Sequence, residues 1–355
     1  MLTSNSSFIE INRRRIGPFQ RTYIIAEMSA NHGQSFEHAV KILHEAQRAG
    51  ADAIKLQTYT PDTITIDCRT EHFQIGRGTM WEGRNLHDLY GEAYTPWDWQ
   101  PKLKDIATQL GMDCFSTPFD FSAVDFLEQM EVPAYKIASF ELVDLPLIQR
   151  VAATGRPLIM STGMASLSEI TEAVDAFRSA GGRELALLKC TSAYPSPPDQ
   201  MNLRTLPDLA ARFNVPVGLS DHTLDVVTPV VAVSMGAAII EKHLTLSRAE
   251  PGPDSAFSLE PNEFKAMVEA VRTAGAALGN ISYEVGEKEK PSRAFRRSLF
   301  VVEDIAAGES LTARNVRSIR PAAGLPPKHL PEILGRKAVR ALPKGTPLSW
   351  DLFAD

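Results

Sequence analysis

Eight compact apolar blocks, each separated from the next by an amphipathic run, recur through the first 280 residues. They fall at residues 23–26, 53–56, 113–116, 135–138, 158–161, 186–190, 217–219 and 238–241. Rich in Val, Ile, Leu and Tyr, with little polar alternation, they read as parallel strands buried on both faces. The intervening runs carry helical periodicity, as in 36–49 and 167–180, and the first has Ser35 at its N-cap position and Gly50 just past its end. Pro157 and Pro216 stand just before strands, where a missing N–H costs little. Eight strands with crossover helices in about 260 residues is the arithmetic of an α/β chain folded as a (β/α)8 TIM barrel. The competitor is a doubly wound open sheet, but no G-x-G-x-x-G follows the first strand. One connection, from Thr58 to about Thr95, is too long for an ordinary βα loop, and such loops are commonly functional.

Barrels of this kind carry their chemistry at the C-terminal ends of the strands. Here those ends supply Glu27, Lys55 with Gln57, Ser116-Thr117, Lys136 with Ser139, Ser161-Thr162, Thr191-Ser192, Ser220-Asp221-His222 and His243. Every strand delivers polar residues to one rim, where a scaffold alone needs them at few. His222 and His243 lie 21 residues apart, one βα step, at the ends of adjacent strands. Neighbouring strands are about 4.8 Å apart, so both imidazoles can reach one ion. A single histidine is more often structural; the matched pair favours ligation. Two histidines, with the remaining positions left to oxygen, suggest Mn²⁺ or Mg²⁺ rather than a closed zinc site. Lys55 and Lys136, beside Thr117, Ser139, Ser161 and Ser220, make a cradle for phosphate or carboxylate, unless each lysine merely snorkels at the rim. Glu27 and Glu141 are candidate acid/base groups or ligands of a substrate hydroxyl, and Glu141 is alternatively a helix N-terminal carboxylate. Asp254 either meets a polyol or makes a turn, and Tyr194, in a Pro-rich segment, either walls the pocket or packs in the core.

Composition bounds the rest. The 355 residues are too many for one average domain and suit a barrel plus something small. Residues 290–355 hold 12 Lys/Arg and 6 Asp/Glu, while the first 289 hold 25 and 37, so a net of +6 follows a net of -12. That shift suggests a boundary near 280–295, although a basic surface tail would give the same signal. The division expected is a catalytic barrel over 1–280, a linker over 281–295 and a small domain over 296–355. A net charge of -6 argues against nucleic-acid binding. Three cysteines without a CxxC pair, no apolar signal core and no apolar run near 20 residues point to a reducing, cytoplasmic setting away from membranes.

Several strings are distinctive: IIAEMSANH (24–32), ADAIKLQTYTPDTIT (51–65), FSTPFD (115–120), PAYKIASFE (133–141), KCTSAYPSP (189–197), GLSDHT (218–223), EKHLTL (241–246) and PGPDSAFSLEP (251–261). Together they resemble the sialic acid synthase family, and 298–325 with 333–348 resemble its C-terminal antifreeze-like (SAF, β-clip) domain. The resemblance implies condensation of phosphoenolpyruvate with an open-chain N-acetylated amino sugar, releasing phosphate. It makes His222 and His243 ligands of a divalent metal. It sets Lys55, Gln57, Thr117, Lys136, Ser139, Ser161 and Ser220 around phosphoenolpyruvate. Glu27, Glu141, Tyr194, Asp254 and Arg320 would then face the water or the sugar, with Arg320 reaching the other subunit's site in a homodimer. Ser192 stands where N-acetylneuraminate synthases usually carry Asn, and Met28-Ser29-Ala30 also departs from them. Within the family the strings are most similar to the pseudaminic acid branch, whose acceptor is 2,4-diacetamido-2,4,6-trideoxy-altrose. The alternatives are the acceptors of N-acetylneuraminate or legionaminate synthases. Two rival classes stand beside this: a Schiff-base aldolase using Lys55, Lys136 or Lys189, and a non-catalytic sugar- or ice-binding protein.

Overall fold

Described here over residues 8–354, the computed structural model begins with a short hairpin, β1 (Ile9–Ile11) and β2 (Arg14–Ile16). Eight parallel strands follow: β3 (Tyr23–Glu27), β4 (Ala53–Thr58), β5 (Asp113–Pro118), β6 (Tyr135–Ile137), β7 (Leu158–Ser161), β8 (Leu185–Cys190), β9 (Val217–Asp221) and β10 (Ile239–His243). They close into a barrel in chain order, with β10 pairing β3. This is the expected (β/α)8 architecture. Strands β3, β4, β5, β9 and β10 run past their apolar blocks into polar residues, because a backbone ladder continues whatever the side chain. β7 and β8 end with their blocks, at Ser161 and Cys190, and β6 stops one residue short of its own, at Ile137.

The helices form where the sequence places them. The first spans Phe36–Ala49, its N-cap Ser35 Oγ accepting from His38 N at 3.2 Å and Gly50 ending it at φ 89°. Leu167–Ser179 is capped by Ser166 and Glu169 in a reciprocal capping box. Between β9 and β10 the backbones approach so closely that a Cβ on Gly218 would fall 2.4 Å from the Ile239 carbonyl oxygen. The hairpin, which the sequence reading leaves out, covers the N-terminal end of the barrel. Ile9, Ile11 and Ile16 are fully buried in the main core, and Asn12 Nδ2 donates to Asp113 Oδ1, at the start of β5, at 2.6 Å.

One compact unit ends at Gly279 and a second begins at Asn280. Residues 280–289 contain no helix or strand. The second unit has two antiparallel pairs, β11 (Ser298–Val301) with β12 (Val316–Ile319) and β13 (Lys337–Ala338) with β14 (Phe353–Ala354). Its own core is built on residues such as Leu299, Leu311, Ile333, Leu348 and Leu352. No helix among the described residues is long and apolar enough to cross a membrane.

Candidate active site

Side chains alternate across a strand, so every second residue at the C-terminal ends of the barrel strands points inward. In β10, Glu241 and His243 turn into the barrel while Lys242 turns out. The inward set forms the floor of a cavity of about 480 Å³, lined by Glu27, Lys55, Gln57, Lys136, Ser139, Glu141, Ser161, Tyr194, Ser220, His222, His243 and Asp254. Of the barrel residues that the resemblance sets around substrate or metal, only Thr117 is absent from this surface, while the strand-end residues Ser116, Thr162, Thr191, Ser192 and Asp221 also lie off it. Thr117 is buried behind Lys55, and its Oγ1 accepts from Lys55 Nζ at 3.2 Å, so it supports the lysine from beneath. Arg320 belongs to the second unit, exposed just after β12.

Two lysines and two glutamates form the electrostatic centre. Lys55 Nζ is ion-paired with Glu27 Oε2 and lies 3.8 Å from Glu241 Oε1; Lys136 Nζ lies 3.7 Å from that same oxygen. Lys136 also donates to Ser161 Oγ at 2.6 Å, and Ser220 Oγ donates to Glu241 Oε1 at 3.2 Å. Burial works to lower Lys55, but Glu241 and Glu27 outweigh it and hold the ammonium above its usual value. At Lys136 burial prevails and lowers it. Burial raises Glu27 to about 7 despite Lys55, and raises Glu141 to about 7. Glu241 moves the other way: burial opposes its charge, but the two lysines hold it below the usual carboxylate range.

Along one wall, Gln57 Nε2 donates to Ser29 Oγ at 2.9 Å and to Glu27 Oε1 at 3.3 Å, and Ser29 Oγ donates in turn to Asp254 Oδ2. Ser29 sits at φ 46°, in the left-handed region, directly after β3. Asp254 thus faces the cavity while tying its loop to Ser29. Tyr194 walls the pocket rather than packing in the core: its ring lies 4.5 Å from that of His222 and 4.9 Å from that of Phe257, both of which line the cavity with it.

His222 and His243 come together, their ring centroids 5.4 Å apart. His222 Nδ1 lies 3.2 Å from the Thr191 carbonyl oxygen, which leaves Nε2 free to bind. His243 Nδ1 is buried without a hydrogen-bond partner, and burial, then His222, holds this ring well below its usual pKa, in the neutral form a ligand needs. At His222 burial works the same way, but Cys190 outweighs it and raises that ring, so the pair fits a divalent ion by the placement of its nitrogens rather than by a shared pKa shift. Among the described residues no three His, Cys, Asp or Glu side chains converge into a closed cage.

Glu241, Cys190, Ser29, Phe257 and the cavity roof are among the lining groups that the strand ends do not single out. Cys190 Sγ lies 3.9 Å from His222 Nδ1; burial alone would raise its thiol, but His222 brings it down to about 7. The roof is the long connection, residues 58–95, folded into short helices at Pro61–Ile64 and Leu86–Ala93. It contributes Tyr59, Ile64, Ile75, Trp81, Leu86, Leu89 and Tyr90. Trp81 Nε1 fastens it across the mouth by donating to Pro253 O at 2.9 Å. Lys189, the remaining Schiff-base candidate, does not line the cavity and donates to Cys190 O at 2.7 Å.

A model of the NeuB family matches residues 42–283, and a SAF domain model matches 296–354. The chain belongs to the NeuB family. It is 44% identical to the pseudaminic acid synthase of Helicobacter pylori over 329 residues, covering 92% of this chain and 96% of that one. With the pseudaminic acid synthase of Campylobacter jejuni the identity is again 44%, over 337 residues, covering 94% and 98%. Among solved structures, the N-acetylneuraminic acid synthetase of Leptospira borgpetersenii superposes with a TM-score of 0.71 at 31% identity, covering 81% of this chain and 95% of that one. The family match and these relatives together make this chain a synthase of carbohydrate biosynthesis.

Proposed function

We propose that the chain is a pseudaminic acid synthase, condensing phosphoenolpyruvate with 2,4-diacetamido-2,4,6-trideoxy-altrose to give pseudaminic acid and phosphate. The observation that carries the chemistry is the buried Lys55–Glu241–Lys136 array, flanked by Ser161 and Ser220, on the cavity floor. Two buried ammonium groups with hydroxyls between them suit the carboxylate and phosphate of phosphoenolpyruvate, with Gln57 and Ser139 beside them and Thr117 holding Lys55. Glu27, raised to about 7, can be neutral when this anion enters, which limits repulsion. The apolar roof supports the trideoxy acceptor: a hydroxyl against Ile64, Ile75 or Leu89 would lose its water without a new partner, whereas a methyl group gains. The 44% identity to pseudaminic acid synthases favours the same acceptor.

The reaction follows from these positions. C3 of phosphoenolpyruvate attacks the sugar aldehyde carbon, the cation left at C2 takes water, and the tetrahedral adduct expels phosphate. Holding the enolpyruvate by both anionic ends converts an encounter into an oriented reaction, an effect that supplies several kcal/mol. Glu141, with Oε2 buried and unpartnered, is the free base for the water, because Glu27 is engaged by Lys55. Tyr194 and Asp254 line the cavity on the sugar's side. His222 and His243 would hold Mn²⁺ or Mg²⁺, which supplies Lewis-acid polarisation of the aldehyde oxygen. In a homodimer the SAF domain would bring Arg320 over the partner's cavity.

Phosphate release from phosphoenolpyruvate and the trideoxy sugar tests the reading. Release is expected, lost with EDTA and restored by Mn²⁺, and borohydride added during turnover should trap no adduct. Full release after metal removal would refute the metal role, and a borohydride-stable adduct on Lys55 or Lys136 would favour the aldolase.

A further inference from the structure

Each of the two cavity histidines is preceded by a charged residue, and these two residues hold one another. Asp221 and Lys242 are Cα partners across β9 and β10. Both side chains are 0% exposed, and neither lines the cavity. Lys242 Nζ donates to Asp221 Oδ2, to Thr223 O and, at 3.1 Å, to Thr223 Oγ1. Asp221 accepts from Thr223 N at 2.9 Å and from Thr223 Oγ1 at 3.1 Å.

Position gives this cluster its meaning. β9 ends at Asp221, so His222 lies one residue beyond the strand, where ladder bonds no longer fix it. The Asp221–Thr223 bonds close the turn around His222, and Lys242 fastens that turn to the residue before His243. As a device for stability alone the arrangement is poor. Withdrawing two charges from water is costly, and a well-packed apolar pair is often as stable or more so. What the ion pair adds over an apolar pair is direction: its hydrogen bonds fix the turn relative to the neighbouring strand.

We propose that Asp221, Thr223 and Lys242 form a clamp that sets the separation and aim of His222 and His243 as paired metal ligands. They are positioning residues, and the inference rests on the metal reading of the two histidines. Outer groups that orient ligands in this way typically govern metal affinity by 10–100-fold.

Mn²⁺ titration of the full-length protein, followed by the electron paramagnetic resonance signal of the free ion, provides a readout independent of turnover. The apolar double variant Asp221→Leu/Lys242→Met is expected to keep its circular dichroism and cooperative melting but to bind Mn²⁺ about 10–100-fold more weakly. Thr223→Val, which leaves the ion pair and the turn backbone intact, is expected to weaken binding by a smaller factor, with kcat/KM falling in step. A folded double variant with wild-type Mn²⁺ affinity overturns the clamp. Should the double variant not fold, unchanged affinity in Thr223→Val overturns it instead. Failure of the wild type itself to bind Mn²⁺ or Mg²⁺ would refute the metal reading, and the clamp with it; that outcome is separable because the wild type is titrated first.

Discussion

Glu141 shows how one buried carboxyl is tuned. Burial raises it to about 7, and its Oε2 has no hydrogen-bond partner. A base must be ionised to act, so kcat/KM is expected to rise with pH through about 7. Glu141→Gln should flatten that limb and cost about 10²–10⁴ in rate. An unaltered pH profile in the variant would exclude Glu141 as the base. Stability gives an independent reading of the same group. Because its pKa is raised from 4.5 to about 7, the folded chain binds more protons than the unfolded one in that window, so stability falls as pH rises through it. Glu141→Gln should lose its share of that slope, leaving the share of Glu27, which is also raised to about 7, and melting curves at pH 5 and pH 8 would reveal the difference. Most cavity residues were legible in the sequence, because a polar residue closing an apolar block has few places to point except the barrel mouth. Glu241 was harder to read: it sits between apolar residues and Lys242, and only the inward and outward alternation of β10 separates a floor carboxylate from an outward lysine. Thr117 erred the other way, since spacing brings it to the rim but cannot tell that Lys55 lies over it.

At the scale of elements, the connection over residues 58–95 decides what the cavity admits. It is anchored at its far end by Thr95 Oγ1, 3.2 Å from His32 Nε2, and at its middle by Trp81, which donates to Pro253 O and packs 5.7 Å from Tyr194. Losing one hydrogen bond and one aromatic contact costs about 2 kcal/mol together. Trp81→Ala is therefore expected to raise the sugar KM by at least about tenfold with kcat less affected. A variant that lost kcat alone would show that Trp81 acts on the chemistry rather than on binding. The length of this connection marked it as functional, but its helices of four and eight residues are too short for periodicity to reveal. The hairpin at β1 and β2 is hard to read from sequence for a similar reason. Its strands are three residues long, and Asn12 and Arg13, with φ of 46° and 65°, make the turn without a glycine to announce it.

The whole molecule pairs an acidic barrel sequence with a basic C-terminal one, a split legible from charge alone. The family resemblance, rather than any residue pattern, suggested that the small domain works on a partner subunit. Mixed dimers can test that proposal. Arg320→Ala and a His222→Ala/His243→Ala variant should each be inactive or weak. If Arg320 acts in trans, co-expressing them should restore about a quarter of wild-type activity, because half of the dimers are mixed and each has one complete site. Restoration would not occur if Arg320 served its own barrel. The proposed reaction requires that the acceptor and phosphoenolpyruvate meet over the lysine floor. The most direct measurement compares kcat/KM for phosphate release with 2,4-diacetamido-2,4,6-trideoxy-altrose and with N-acetylmannosamine, identifying products by mass. Pseudaminic acid is expected from the first, with a preference of at least about tenfold over the second, since one methyl group against an apolar wall is worth that much. Efficient turnover of N-acetylmannosamine with none of the trideoxy sugar would contradict it.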